Sequence, residues 1–362
     1  MSNCEQVAIY GAGGNGQKIF HALSKQGIEV AFFIDAYTTA THYQQCPIYR
    51  PSTIPDKSLP MLVSVSCASE QIKQQLQQLG IKNCLNMNEI ISSYPHVLDN
   101  FISQTHKKKL IESTNQNQDN LSWLRANLDD EVSKKCLKEI ITFRSSPSSE
   151  NYIENDWLTQ YFPPWLLELP IWHQGIRLID CGSYIGDTLD SAVATLSKSE
   201  LNLNTIVCFE PDPENFTKLN TKIKKFQDEN FTSYLYPCGV WNDNTILNFE
   251  AGKSQGKFTN SAEIKNTNNL LPVVALDKVC IGAKANFIKM DIEGAEPQAI
   301  AGAKQIIIEQ SPLLAISVYH EPEHLWQIAQ TIHNYNSDYT FRLHCHGDFG
   351  LEIILYAIPK VN

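Results

Sequence analysis

"LIDCGSYIGDTLDSA", residues 178–192, decides how this chain is read. Leu178 and Ile179 belong to a buried strand, and Asp180 ends it. Gly182 and Gly186 then open a turn, and the stretch from about 186 to 198 has helical spacing of apolar residues. In an open αβ sheet, ligands sit beyond the carboxyl ends of the strands. An acid at a strand tip, beside glycines that let backbone come close to a ligand, therefore marks a candidate site.

Outward from this turn the αβ pattern continues. Strands are predicted at "RLIDCG", "TIVCFEP", "FTSYLYPCGV", "ANFIKMDIEG", "PLLAISVYH", "YTFRLHCH" and "EIILYAI". Helices are predicted at about 186–198, 213–227, 296–310 and 322–335. "NTILNFEAGKSQGKFTNSAEI" reads as an antiparallel ribbon and loop. Only "GDFGL" separates the last two strands, too little for a parallel crossover, so they pair antiparallel at an edge. Residues 6–92 form a second alternation: strands at "QVAIYG", "EVAFFID", "LPMLVSVS" and "NCLNMNEI", with helices at "GNGQKIFHALSKQG" and "SEQIKQQLQQLG". Between them the apolar strands vanish and helical spacing takes over. The expected organisation is a Rossmann-like domain at 1–92, a helical connector at 93–165 and a second αβ domain at 166–362. The segment "WLTQYFPPWLLELPIW" is expected to pack in the core, with a lid over the second domain as the alternative.

Composition narrows the function. With 29 basic against 39 acidic side chains, a net charge of −10 argues against a nucleic-acid substrate. No apolar run is long enough to span a bilayer. The opening "MSNCEQVAIYGAGG" enters a strand directly and does not read as a signal peptide. Ten cysteines without CxxC pairs read as free thiols of a cytoplasmic protein.

Acids gather at the strand tips of the second domain: Asp180, Glu210 followed by Pro211 and Asp212, then Asp291 and Glu293, with Tyr319 and His320 ending the next strand. Buried carboxylates are costly without partners. A cationic or hydroxyl-rich ligand would supply them, and Glu210 is placed to accept ribose hydroxyls. The turn "DCGSYIGD" has two acids and no Lys or Arg, so a pyrophosphate would be repelled. A positively charged adenosine compound such as S-adenosylmethionine fits. For transfer to a hydroxyl, Asp291 or His320 is the expected proton acceptor, with Glu293 and Lys289 fixing geometry. Lys289, Asp291 and Glu293 are read as alternating along one strand. This reading needs no metal; an ion held by Asp291, Glu293 and His320 is its alternative. Plainer roles also exist: Glu293 as a helix cap, His320 as a loop contact, and His344 with His346 as a polar strand face.

"LIDCGSYIGDT", "CFEPDPENF", "CGVW", "FIKMDIEGAE", "AGA" and "SVYH", in that order, resemble the FkbM family of S-adenosylmethionine-dependent methyltransferases over residues 176–358. The resemblance implies a seven-stranded class I methyltransferase sheet and O-methylation as the usual chemistry. It puts the cofactor at Asp180, Gly182 and Glu210. Extended over the same rim, the expected cofactor set is Asp180, Gly182, Ser183, Tyr184, Gly186, Asp187, Glu210, Pro211, Asp212, Cys238, Gly239 and Asp291. Cys181 and Tyr184 stand where many relatives have Val and Asn.

The first glycine cluster, "IYGAGGNGQKIF", satisfies G-x-G-x-x-G with Gly11, Gly13 and Gly16, and Asp35 ends the next strand. With only one half of a dinucleotide fold, this domain suits a mononucleotide better. "IYGAGGNGQKIFHAL…GIEVAFFIDA" also resembles the N-terminal domain of sugar O-acyltransferases. That resemblance implies a nucleotide-sugar at Gly11, Gly13, Asn15, Gly16 and Asp35; a scaffold or dimer surface is the alternative. The expected activity is methyl transfer from S-adenosylmethionine to a hydroxyl of a sugar or glycan precursor. The rivals are an NAD(P)-dependent oxidoreductase using the first turn, and a non-catalytic nucleotide-binding or assembly protein. A homo-oligomer is compatible with each.

Overall fold

The computed structural model describes residues 6–66, 69–153, 155, 159–172, 175–226, 231–250, 257–259 and 270–360. By internal contacts the chain divides into two compact units. One comprises residues 1–116, 136–158 and 345–351, the other 117–135, 159–344 and 352–362.

The first unit carries β1 (Gln6–Tyr10), α1 (Gly14–Lys25), β2 (Glu29–Ile34), β3 (His42–Tyr43), β4 (Cys46–Tyr49), β5 (Met61–Val63), α2 (Ser69–Gln78), β6 (Cys84–Leu85) and α3 (Met87–Ser93). Its sheet runs β3-β4-β2-β1-β5-β6. β1 and β5 are apolar almost throughout because both lie inside the sheet. α1 buries Ile19, Ala22 and Leu23, one face of a helix, and Gly27 in the left-handed region follows its end. "NCLNMNEI" is strand only at Cys84–Leu85. Asn86 accepts the Glu89 N–H while Glu89 reaches back to the Asn86 N–H, and this capping box turns the following residues into α3. The β3–β4 hairpin was not expected from the sequence.

Further along the chain come α4 (Leu98–Phe101), α5 (Gln104–Gln116), α6 (Gln118–Asn127), α7 (Glu131–Ser145) and α8 (Pro164–Leu167).

The second unit is built on β7 (Ile176–Cys181), α9 (Asp187–Leu196), β8 (Leu203–Phe209), α10 (Pro213–Ile223), β9 (Thr232–Tyr236), β10 (Gly239–Val240), β11 (Thr245–Glu250), β12 (Lys257–Thr259), β13 (Leu270–Val274), α11 (Leu276–Val279), β14 (Phe287–Met290), α12 (Glu296–Ala301), α13 (Lys304–Gln310), β15 (Leu313–Ser317), α14 (His324–Tyr335), β16 (Tyr339–Cys345) and β17 (Ile353–Pro359). Seven strands order as β16-β17-β15-β14-β7-β8-β9, with β17 antiparallel to β15. This is the mostly parallel sheet with an antiparallel edge that the sequence predicts. β7, between β14 and β8, keeps five of six residues buried. Leu178, Ile206, Phe287, Leu313, Ala315 and Tyr356 join Tyr161, Phe162, Leu166 and Trp172 in one core, so the Trp- and Pro-rich segment packs inside.

Three local expectations fail for identifiable reasons. "FTSYLYPCGV" breaks at Pro237, which lacks an N–H for a ladder, and β10 joins a separate four-stranded sheet, β10-β13-β11-β12. The single helix expected at 296–310 is two, because the Asp277 carboxylate accepts the N–H groups of Gln305 and Ile306 and starts α13 afresh. β16 ends at Cys345, so His346 lies beyond the strand; His344 stacks its ring on Trp165. Much of the loop at 250–270 lies outside the described residues. None of the eight described cysteines is in a disulfide. Among the described residues no helix is long and apolar enough to cross a membrane.

Candidate active site

The carboxyl rim of the seven-stranded sheet carries the site. Register sets its first contact. Lys289 pairs opposite Asp180 on β14 and β7, so both side chains leave the sheet on the same face. Lys289 Nζ stands 3.0 Å from Asp180 Oδ1 and donates to the Gly182 carbonyl at 2.7 Å. Both side chains are almost wholly buried. Burial works against the lysine's charge, yet Asp180, Asp291 and Asp187 outweigh it and raise its pKa. Thus the fold itself neutralises Asp180, and the lysine ties the glycine turn to the sheet.

That turn is tight. Gly182 has φ of +78°, and a Cβ there would lie 1.9 Å from the Asp291 carbonyl oxygen, so only glycine fits. Ser183 Oγ donates to the Asp180 carbonyl, and Gly186, also left-handed, precedes α9. The Tyr184 N–H donates to Glu210 Oε2 at 2.8 Å, and the Asp212 N–H donates to Oε1 at 2.8 Å. Asp212 in turn caps α10 by accepting from Glu214 and Asn215, and Pro211 links the two acids. Burial raises the Glu210 carboxyl to about 7, against the pull of those two N–H bonds. Burial also raises Asp187, at the first position of α9. Cys238 follows the end of β9 and Gly239 opens β10 of the separate sheet; both are buried, and burial pushes the Cys238 thiol up to about 11.

Beyond β14 the predicted alternation stops. The strand ends at Met290, and Asp291–Gly294 form a turn with Glu293 at φ +58° and Gly294 at +97°. Glu296, fully buried, holds this turn by accepting the N–H groups of Ile292 at 2.9 Å and Gly294 at 3.4 Å. His320 stands against it, with Nδ1 3.0 Å from Glu296 Oε1 and Nε2 3.4 Å from both Asp291 Oδ1 and Glu293 Oε2. Burial opposes a charged imidazole, but Glu296, Asp291 and Glu293 raise it to about 10, so the ring is protonated at neutral pH. Asp291 accepts from Tyr161 Oη at 2.9 Å and Tyr319 Oη at 3.4 Å. Tyr319 Oη also lies 3.2 Å from Glu352, whose other oxygen accepts from Gln160 at 2.7 Å. Burial first, then the Asp291 charge, raises Glu352 to about 7.

The structure therefore brings Asp180, Gly182, Ser183, Tyr184, Gly186, Asp187, Glu210, Lys289, Asp291, Glu293 and His320 to one rim. Sequence reasoning missed Tyr161, Gln160, Glu296 as an imidazole partner, and Glu352. For Glu352 a signal existed: a strand antiparallel to β15 must begin where β15 ends.

In the first unit, Gly11, Gly13, Asn15 and Gly16 line the β1–α1 turn. Asp35 closes it, accepting N–H bonds from Ala12 at 2.9 Å and from Tyr37 and Thr38 at 2.8 Å. Asn15 donates to the Ser64 carbonyl at 3.4 Å. Partial burial would raise Asp35, but those bonds and the Arg50 charge hold it below the usual range. On the opposite side of this sheet, residues before β2, β5 and β6 line a cavity of about 610 Å³ with Tyr94, His96 and the end of α1.

Comparison with known proteins fixes the class. Residues 180–343 match the family model of the methyltransferase FkbM domain, from the acid of the first strand tip to the edge hairpin. These residues are an FkbM methyltransferase domain. A solved structure, methyltransferase FkbM from Methylobacillus flagellatus KT, superposes with a TM-score of 0.60 at 22% identity, covering 98% of this chain and 90% of that one. At this identity the likeness speaks for the fold, and it extends along nearly the whole chain. An rRNA methylase from Streptococcus thermophilus aligns at 12% identity and TM-score 0.34, over 55% of this chain and 93% of that one. No curated protein matches the chain.

Proposed function

We propose that the FkbM domain transfers a methyl group from S-adenosylmethionine to a hydroxyl of a sugar or glycan precursor. The observation that carries this reading is Glu210. Its carboxyl is buried at the tip of β8 beside the Gly182–Gly186 turn, receives two N–H bonds among the described residues, and is raised to about 7. A carboxylate can accept about four hydrogen bonds. Two more donors, such as the vicinal hydroxyls of a ribose, would relieve its desolvation. The turn beside it carries no basic residue, in keeping with a sulfonium rather than a phosphate.

S-adenosylmethionine supplies an already activated methyl on a sulfonium sulfur. What the protein adds is alignment, which contributes on the order of 7–11 kcal/mol when good. Gly182 and Glu210 would hold the cofactor side of the rim, while Asp180, expected there from the sequence, is enclosed against Lys289 and with it keeps the turn in place. His320 already carries a proton at neutral pH, so Asp291 is the residue to take the acceptor's hydroxyl proton, with Tyr161 and Tyr319 orienting its carboxylate. A rim of carboxylates and phenols suits a polyhydroxylated acceptor. By the N-terminal resemblance, the Gly11, Gly13, Asn15, Gly16 and Asp35 turn would hold the nucleotide of a linked sugar.

Two measurements test this. S-adenosylhomocysteine should raise the melting temperature, whereas NAD and NADP should not; no shift with S-adenosylhomocysteine would sink the cofactor assignment. Asp291→Asn should keep that shift while losing transfer of labelled methyl to a panel of sugars and nucleotide-sugars. Loss of the shift instead would move Asp291 from the acceptor to the cofactor.

A further inference from the structure

His320 poses an electrostatic problem that the methyl-transfer reading does not use. Its side chain is only 7% exposed, and neither ring nitrogen completes a hydrogen bond. Glu296, fully enclosed, has Oε2 without a hydrogen bond as well. His320 faces three carboxylates, those of Glu296, Asp291 and Glu293, and a second imidazole, His324, stands with Nδ1 3.4 Å from Glu296 Oε2. Three carboxylates outnumber the two imidazoles, so the cluster keeps an excess of negative charge. The contacts from Nε2 to Asp291 and Glu293 are 3.4 Å, longer than the roughly 2.7–2.9 Å of a charge-assisted hydrogen bond.

Donor atoms of Asp291, Glu296 and His320 all lie within 4.8 Å of one another. An ion with metal–ligand bonds of about 2.0–2.2 Å needs donors about 3–4 Å apart. The three come from a turn, the start of α12 and the loop after β15.

We propose that Asp291, Glu296 and His320 bind a divalent cation, with Glu293 beside them as a further carboxylate donor; the entering ion takes the place of the extra proton on the His320 ring, which is released to solvent. Two or three carboxylate oxygens and one imidazole nitrogen favour Mn²⁺ or Zn²⁺ over Ca²⁺, which takes oxygen ligands. Such an ion would lie at the acceptor side of the rim and lower the pKa of a bound hydroxyl. That use rests on the methyltransferase reading; the binding does not.

The test is a titration of the full-length chain with Mn²⁺, following loss of the free-ion signal by electron paramagnetic resonance, with Zn²⁺ and Ca²⁺ as competitors. Wild type should take up one equivalent, displaced by Zn²⁺ and at least tenfold less well by Ca²⁺. Asp291→Asn and His320→Asn should each weaken uptake at least tenfold, while Asp243→Asn, on the surface, should not change it. His320 is buried and its variant can fail to fold, so Asp291→Asn, checked by circular dichroism, carries the decision. No Mn²⁺ uptake by wild type, or equal uptake by a folded Asp291→Asn, overturns the site. Because the titration contains no methyl donor, a failure of S-adenosylhomocysteine to bind would fell the cofactor assignment and leave this result intact.

Discussion

The two units solve one local problem in two ways. In each, an acid at the tip of the second strand reaches back to a backbone N–H in the turn after the first strand: Asp35 to Ala12, Glu210 to Tyr184. Asp35 then gathers two more N–H bonds and the field of Arg50, and its carboxyl is held low. Glu210 is more deeply buried, gathers only one more N–H bond, and is raised to about 7. An acid saturated by its own chain has little left for a ligand. One that is desolvated and short of donors gains by meeting hydroxyls. The contrast is the reason the proposed ligand is assigned to the second unit.

The largest expected effect breaks the turns themselves. Gly182→Ala forces a Cβ to within 1.9 Å of the Asp291 carbonyl at φ +78° and should lower unfolding stability by roughly 3 kcal/mol in urea melts. Gly13 has no neighbour within 4 Å of a Cβ and φ of −75°, so Gly13→Ala should stay within about 0.5 kcal/mol. Equal losses would mean that Gly182 is not clamped as drawn. The next effect concerns ligand. Glu210→Ala should weaken S-adenosylhomocysteine binding by roughly one to two decades in calorimetry, the loss of charge-assisted bonds, while Asp35→Ala leaves it unchanged. A Glu210→Ala protein that binds as wild type does would remove the reason for putting the cofactor at this rim.

How much of this was legible depends on range along the chain. The apolar run of β7 and the brevity of "GDFGL" are local, and they gave the central strand and the antiparallel edge correctly. Gly182 and Glu210 were legible as strand-tip features. The Asp180–Lys289 pair was not, since it follows from register between strands more than a hundred residues apart. The acid looked in need of a cationic ligand, and the fold supplies a lysine. Tyr161 reached Asp291 unannounced because a segment read as packing does both: its backbone enters the core while its hydroxyl emerges at the rim. Asp277 broke the expected long helix from outside it, which no periodicity within 296–310 could reveal.

The smallest effect sharpens the comparison most, because the two acids respond to pH with opposite signs. Asp35, held low, stabilises its unit above the ordinary aspartate value of 3.8, and that contribution is lost as pH falls through the folded value. Glu210, raised from 4.5 to about 7, contributes fully only below about 4.5, and its contribution is lost as pH rises through about 7. Ligand hydroxyls donate to the charged form, so S-adenosylhomocysteine should bind more tightly as Glu210 ionises. About a tenth of Glu210 is charged near pH 6 and most of it near pH 8, which predicts roughly a tenfold gain in affinity across that interval. Glu210→Gln should flatten the profile at weaker affinity, and Asp35→Asn should leave it as in wild type. A flat wild-type profile would show that Glu210 is already ionised before the ligand arrives, and the contrast between the two acids would reduce to burial alone.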